Sequence, residues 1–315
     1  MAAGLEANTL LPDTPEYETC LGTWWALKSR LRASSIVKPS SSEQVSAIMK
    51  ALSAAGTGQF AVRSGGHAPW AGGSNVENGV TIDLTHVHSE AKYDPVTKIA
   101  SLGPGQRWGD VVEQLAKQGV AVAGGRDADV GVGGLITGGG ISYHSGRRGL
   151  VCDNLVNVEV VLADGTIVNA NETSYSDLFK AIKGGKSNVG IATRFDLTTF
   201  EYVEPWGGLR LVEYQYADDC ADHLVSFTEK YHEHPEAVFL VGFVYGTAGV
   251  SALKAMQLYV DTDGKGNLPI LQKPLELPAM VHDIRPRPMK AMISDYMMPS
   301  GSQYAFTRHT TMFTD

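Results

Sequence analysis

Residues 63–73, RSGGHAPWAGG, form the stretch of this chain whose residue types and spacing could support chemistry. Four glycines surround one histidine, with an arginine before them and a tryptophan among them. Glycine has no Cβ, so a loop of this composition lets backbone N–H groups come close to a ligand. The histidine could be a ligand, a base, an attachment point for a cofactor or an ordinary loop residue. The stretch alone does not decide among these roles.

A second glycine cluster, DADVGVGGLITGGGISYHSGRRG, covers residues 127–149. It does not match a GxGxxG dinucleotide fingerprint, because GVGGLITGGG does not open an amphipathic helix after a strand. It is not a Walker-A loop either, because no GKS or GKT follows. Taken singly, each cluster is also compatible with tight turns between strands.

The elements around the clusters follow from hydrophobic periodicity. Ser40 and Glu43 have capping-box spacing and predict the start of a helix that ends at Gly56. GQFAVRSGG is predicted to be a strand that runs into the first glycine loop. A helix over WGDVVEQLAKQG, a hairpin turning at Asp164-Gly165, a short helix over SDLFKAIKGG and a strand over VGIATRFDLTTFE follow.

From about Trp206 onward the pattern becomes strand, helix, strand, strand. AVFLVGFVYG and AMQLYV are the last two of these strands, and both are expected to carry an exposed edge. The final fifty residues are broken by prolines and are predicted to be loop-like. Alternating and continuous strands are mixed without a regular βα rhythm, so the expected fold class is α+β and not a doubly wound parallel sheet.

Composition excludes several classes of function. The formal net charge is −8, from 26 basic and 34 acidic residues, which argues against nucleic acid as the main partner. No apolar run reaches membrane-spanning length, so no membrane partner is expected. The N-terminus lacks the basic and apolar regions of a signal peptide, which predicts a cytoplasmic location for the chain as given. Three cysteines without metal-ligand spacing are expected to be buried or free thiols, with no metal site.

The two glycine clusters together resemble the FAD-linked oxidases of the vanillyl-alcohol oxidase / berberine-bridge-enzyme superfamily, especially their fungal members. The resemblance runs through about residues 15–200 in family order, and its five pieces are IVKPSSSEQVSAIM, RSGGHAPWAGGSN, LGPGQRWGDV, GVGGLITGGGISYHSGRRGLVCDNLVNVEVVLADG and GGKSNVGIATRF. It implies a two-lobed PCMH-type FAD-binding domain over residues 1–203. An incomplete antiparallel-sheet substrate domain would follow over residues 204–315.

The resemblance also implies which residues bind FAD. Backbone N–H groups of the glycine loops would cradle the pyrophosphate, as in other anion-binding nests. The first phosphate loop would comprise Arg63, Ser64, Gly65 and Gly66. The second cradle, beside the ribityl chain and the pyrophosphate, would comprise Gly131, Gly133, Gly134, Gly138, Gly139 and Gly140. The isoalloxazine-to-ribityl side would be formed by Gly149, Val151 and Asn154, and the adenine or flavin edge by Gly190 and Ile191.

His67 matches the family histidine that is bonded covalently to the flavin. Members with two covalent links carry a cysteine where this chain has Asp127, so a single covalent bond is expected. Tyr143 is expected to pack near the flavin, and His144 to pack and not to act as an acid or base. Arg147 and Arg148 are both candidates for reaching phosphate, with one of them expected on a solvated face.

The implied function is oxidation of a small organic substrate by hydride transfer to flavin N5, with O₂ as acceptor, in fungal secondary metabolism. The alternative is a truncated or degenerate flavin-binding copy without turnover, because the chain is shorter than its relatives. The catalytic base of berberine-bridge-type members lies on a late substrate strand, and no residue of this chain matches it. Relatives are often secreted. The resemblance identifies neither the substrate nor the oligomeric state.

Overall fold

The structure is a computed structural model that describes residues 5–56, 58–245, 252–295 and 300–301. Its first lobe contains a four-stranded sheet of order β1-β2-β4-β3, in which β3 and β2 run parallel to β4 and β1 pairs antiparallel to β2. The elements are β1 (Thr9–Leu10), α1 (Pro15–Gly22), β2 (Ser35–Val37), α2 (Ser42–Ala55), β3 (Phe60–Arg63) and β4 (Val80–Asp83).

Helix α2 begins one residue later than the capping pattern indicated. Ser41 is its N-cap and accepts a hydrogen bond from the backbone N–H of Gln44. The Gln44 side chain in turn accepts from the backbone N–H of Ser40, at 2.8 Å. The capping pair is therefore Ser41 and Gln44. Three consecutive serines precede two acceptor side chains here, so spacing alone cannot rank the possible pairs. Gly56 ends the helix with φ 61°, as predicted.

The second lobe is built on a five-stranded antiparallel sheet of order β5-β6-β10-β8-β9. Its elements are β5 (Lys92–Asp94), β6 (Ile99–Leu102), α3 (Trp108–Ala116), β7 (Val120–Ala121), α4 (Val132–Thr137), α5 (Ser145–Arg148), β8 (Leu155–Val161), β9 (Ile167–Ala170), α6 (Ser176–Gly185), β10 (Ile191–Thr198) and β11 (Phe200–Glu201). Trp108 and Leu115 of α3 and Phe195 of β10 are fully buried in its core. The predicted hairpin is β8–β9, with Gly165 at φ 82° in its turn.

The C-terminal unit is a four-stranded antiparallel sheet of order β13-β14-β12-β15. Its elements are β12 (Trp206–Glu213), α7 (Ala217–Lys230), β13 (Ala237–Val244), β14 (Lys254–Asp261), α8 (Pro269–Leu275), β15 (Ala279–Pro286) and α9 (Met289–Ser294). Phe227 of α7 and Leu271 of α8 pack against Phe239 and Tyr259 of the sheet. The α+β fold class is thereby confirmed.

Two expectations about this unit are wrong. The expected exposed edge at AMQLYV belongs to β14, which is paired on both sides, so of the two strands only β13 lies at an edge. The expected loop after residue 265 contains α8, β15 and α9, because its prolines stand largely at element ends. Pro269 opens α8, Pro286 closes edge strand β15 and Pro288 caps α9. Residues 296–299 and 302–315 of that stretch lie outside the described residues.

Helix α9 returns from the C-terminal unit to the second lobe. Met292 and Ile293 are buried in the same core as Trp108 and Leu115, and the Ile293 carbonyl accepts a hydrogen bond from Ala128 N. The structure thus joins the C-terminal unit to the second lobe through packed apolar side chains. The division at residue 203 stays a prediction. Within the described ranges, no helix is both long and apolar enough to cross a membrane.

Candidate cofactor site

A cavity of about 350 Å³ opens between the first and second lobes, where both glycine clusters meet. Strand β3 delivers the first cluster to its wall, and helix α4 carries part of the second. Nine of the sixteen residues predicted to bind cofactor line the cavity: Ser64, Gly65, Gly66, His67, Gly131, Gly133, Gly134, Gly190 and Ile191. Seven are not part of its wall: Arg63, Gly138, Gly139, Gly140, Gly149, Val151 and Asn154.

The two glycine loops touch each other backbone to backbone. A Cβ built on Gly65 would lie 2.6 Å from the Cα of Gly131, and a Cβ on Gly131 would lie 2.6 Å from the Cα of Gly65. Side chains cannot approach backbone so closely, so these two positions require glycine for the contact between loops. The sequence pattern suggested a different reason, namely approach to a pyrophosphate.

Ser64 ties the same two loops together. Its hydroxyl donates to the carbonyl of Pro104 at 2.6 Å and accepts from the backbone N–H of Gly133 at 3.1 Å. Gly134, one residue further along α4, faces the open cavity, and among the described residues no atom outside its own stretch of helix lies within 4 Å of an ideal Cβ. Gly134 is therefore a position where backbone is left uncovered for a ligand.

The wall chemistry fits FAD. Apolar side chains such as Val62, Leu84 and Phe195 supply surface for aromatic rings, and glycine backbone supplies uncovered polar groups. Among the wall residues that the structure describes, none is an aspartate or glutamate, so nothing in the wall repels a phosphate. FAD would be held by the two glycine loops from one side and by Gly190 and Ile191 from the other.

His67 lies in the cavity wall with its ring orientation fixed from two sides. The ring stacks on Trp25 with centroids 4.9 Å apart and planes at 20°. Nε2 lies 3.7 Å from Oδ2 of Asp129, which is too long for a hydrogen bond, and this buried nitrogen has no hydrogen-bond partner among the described residues. The interaction with His67, and next the charge of Arg107, lower the pKa of the Asp129 carboxyl. A carboxylate thus faces the imidazole.

Asp127, at the position of the second attachment cysteine in bicovalent relatives, accepts a hydrogen bond from the backbone N–H of Asp129 at 2.9 Å. The three cysteines Cys20, Cys152 and Cys220 are buried free thiols, as predicted. None of them belongs to the cavity wall.

Arg63 points away from the cavity. Its guanidinium stacks on the Trp24 ring at 3.8 Å, pairs with Asp83 at 3.0 Å and donates to the Thr23 hydroxyl at 2.6 Å. The side chain therefore attaches the end of β3 to the segment after α1. Its backbone begins the first glycine loop.

The remaining residues of the second cluster build the turn between α4 and the strand β8. Gly140 has φ 77°, and a Cβ there would lie 2.5 Å from Cδ2 of Leu135. Asn154 donates from Nδ2 to the carbonyls of Arg148 and Leu150. These contacts hold the polypeptide chain and do not reach the cavity.

His144 has the environment of a packing residue, in agreement with the sequence expectation. The His144 and Phe200 rings meet edge to face, with centroids 4.8 Å apart. Burial, and next the charge of Arg148, lowers the pKa of His144 to about 4. Tyr143 is buried beside it. Arg147 pairs with Asp263, and the Arg148 guanidinium lies 4.5 Å from the centroid of the Phe200 ring. Neither arginine lines the cavity.

Trp70 and Lys186 are among the wall residues that the sequence did not indicate. The Lys186 ammonium lies 5.1 Å from the centroid of the Trp70 ring. The available signal for Lys186 was a lysine inside the glycine-rich segment GGKSN. Nothing in the local sequence indicated its contact with the first glycine loop.

A cleft between two α/β lobes, walled by glycine backbone and free of carboxylates, is the kind of site that binds a dinucleotide. Residues 33–171 match the model of a family described as an FAD binding domain. The chain is 39% identical over 235 residues to FAD-dependent monooxygenase drtC of Aspergillus calidoustus, covering 74% of this chain and 45% of that protein. The chain spans about half the length of the curated relatives it matches.

Solved structures share the fold. The 6-hydroxy-D-nicotine oxidase of Arthrobacter nicotinovorans superposes with a TM-score of 0.79 at 22% identity, covering 92% of this chain and 64% of that one. BBE-like 1 of Physcomitrella patens gives a TM-score of 0.73 at 26% identity, covering 87% and 58%. The chain therefore carries an FAD binding domain, is similar in sequence to fungal FAD-dependent monooxygenases and shares its fold with vanillyl-alcohol oxidase / berberine-bridge-enzyme-like oxidases.

Proposed function

We propose that this protein binds FAD between its two lobes and oxidises a small organic substrate in fungal secondary metabolism. The observation that carries the proposal is the cavity itself, because both glycine loops converge on it and its described wall contains no carboxylate. FAD, when bound, supplies the redox chemistry by accepting a hydride at flavin N5 and passing electrons to O₂. The residues of the chain bind and orient the cofactor and exclude water from its buried part.

A single covalent attachment through His67 forms part of this proposal. His67 lies in the wall, and its ring is oriented by Trp25 and faces the Asp129 carboxylate. An imidazole next to a carboxylate is favoured as a nucleophile, because the negative charge stabilises positive charge that develops on the ring. Asp127 cannot form the thioether that a cysteine would form at that position.

The test is retention of flavin after acid precipitation of the purified protein. The native protein should keep flavin fluorescence in the pellet, and His67→Ala should release its flavin to the supernatant. His86→Ala, which removes an exposed histidine of the first lobe, is the matched control and should behave as the native protein. A flavinylated peptide containing a cysteine would contradict the single link, and absence of flavin from all three proteins would contradict FAD binding.

The second candidate function is flavin binding without turnover. It is supported by the matching family model, which describes FAD binding over residues 33–171. The two functions separate when alcohols, amines and sugars are mixed anaerobically with flavin-loaded protein. Bleaching of the flavin band, followed by H₂O₂ release on admission of air, supports the oxidase. An unbleached flavin with every class supports the binding function.

A further inference from the structure

Lys186 has a backbone conformation that side chains rarely adopt. It follows the last residue of α6 with φ 54° and ψ −135°, a region that favours glycine. Two glycines, Gly184 and Gly185, immediately precede it, and yet the strained position carries a long charged side chain. Strain of this kind persists where the surroundings hold the residue in place.

The Lys186 side chain bridges the two glycine clusters. Its Cε lies 3.7 Å from the position of an ideal Cβ on Gly138, just after helix α4. Its ammonium lies 5.1 Å from the centroid of the Trp70 ring, in the first cluster. Lys186 thus extends from a third loop across the cavity and reaches both clusters.

Lys186 is also the cation of this cavity. Of the wall residues in the described chain, it is the single lysine or arginine, since the guanidinium of Arg63 is turned toward Asp83. No acidic residue shares that wall in the part of the chain that the structure describes. A Lys ammonium held near a ring but without a carboxylate is free to meet an anionic ligand at one of its three donors.

We infer that Lys186 is the residue that neutralises the phosphate charge of the dinucleotide in this cavity. The inference rests on the proposed binding of FAD and deepens it. The glycine loops supply neutral backbone donors, and Lys186 supplies the formal positive charge that a pyrophosphate requires when it leaves water. The strained backbone positions that charge above both loops, and Trp70 holds the ammonium in place before a ligand arrives.

The experiment measures FAD affinity by flavin fluorescence in a His67→Ala background, where binding is reversible whether or not the covalent bond forms. Lys186→Gln should weaken FAD binding about ten-fold, the size of one charge-assisted contact. Lys186→Arg should restore most of the affinity. The difference in FAD affinity between the parent and Lys186→Gln should shrink at high salt, because salt screens the charge contact that Lys186 makes in the parent. Riboflavin, which has no phosphate, should bind both proteins equally.

Lys183→Gln is the matched control. Lys183 lies three residues away, and its ammonium contacts the Phe179 ring at 4.2 Å instead of the cavity. Equal FAD affinity for Lys186→Gln and Lys183→Gln would overturn the inference. If Lys186 has only a structural role, Lys186→Gln should lower the melting temperature of the apoprotein and weaken riboflavin binding as much as FAD binding. That result would also overturn the inference. Failure of the parent to bind FAD at any salt would instead contradict the proposed function.

Discussion

At the residue scale, glycines of the two clusters serve different physical purposes. Gly65 is needed because another loop occupies the space a side chain would take, and Gly134 faces open cavity. Substitutions at these two positions should therefore separate the stability of the fold from affinity for the cofactor.

Gly65→Ala should lower the free energy of unfolding by about 1–3 kcal/mol, because its methyl group collides with the Gly131 backbone. Gly134→Ala should leave stability within about 1 kcal/mol of the native value, since alanine suits a helix at least as well as glycine. It should nevertheless weaken FAD binding, because the methyl group enters the cavity. Urea unfolding of apoprotein and FAD titration measure the two effects. Equal free energies of unfolding for Gly65→Ala and Gly134→Ala would contradict these two different roles.

At the element scale, helix α2 shows how a short polar run leaves the end of a helix ambiguous in sequence. Three consecutive serines precede Glu43 and Gln44, so the capping pattern fits in more than one register. The structure selects Ser41, whose hydroxyl accepts from Gln44 N. The register matters for function because the strand that follows α2 leads into the first glycine loop.

Ser41→Ala should therefore cost about 1 kcal/mol of stability, the usual effect of losing an N-cap acceptor. Ser40→Ala should cost less, because the Ser40 backbone N–H keeps its bond to Gln44 in the variant. The urea midpoints of the two apoproteins, compared with the native midpoint, check this. A larger loss of stability for Ser40→Ala than for Ser41→Ala would contradict Ser41 as the cap and support the Ser40 register that the sequence pattern indicated.

At the scale of the whole molecule, charges join the second lobe to the C-terminal unit. Arg147 of α5 pairs with Asp263 at 2.5 Å and with Glu236 at 3.4 Å. Hydrogen bonding to Arg147 is the main cause that lowers the pKa of Asp263 to about 2. Because the folded pKa of Asp263 is below the ordinary aspartate value of 3.8, the stabilisation is present above pH 3.8 and is lost as pH falls toward 2.

Asp263→Asn should reduce the free energy of unfolding by about 1 kcal/mol at pH 7, after allowance for the partly exposed Arg147. The difference from the native protein should narrow below pH 4 as the native carboxyl takes up its proton. Urea unfolding at a series of pH values measures it. Glu233→Gln, which removes an exposed carboxylate of the same unit, is the charge control. A difference that stays constant down to pH 2 would contradict the role of this ion pair.

Local signals in the sequence were sufficient for β3 and its glycine loop, for α3 and for the β8–β9 hairpin, because each depends on residues close together in the chain. The resemblance of residues 15–200 to a family correctly indicated the two-lobed fold. The contact of Gly65 with Gly131 and the reach of Lys186 to Trp70 join residues far apart, and no local pattern reports them. The helices and the strand after residue 265 were not predicted, because the prolines at their ends give this stretch the composition of a loop.

The return of α9 to the second lobe affects how the protein unfolds. Met292 and Ile293 complete a core that starts far earlier in the chain, so the C-terminal sheet is enclosed between two segments of one cooperative unit. Such an arrangement restricts hinge motion between the sheet and the lobe beneath it. Heating should therefore melt both in a single transition, and a protease should find no intact fragment that ends near residue 203. Motion that opens the cavity is then expected away from this junction, for example in the first glycine loop, where Trp70 lies half exposed in the wall.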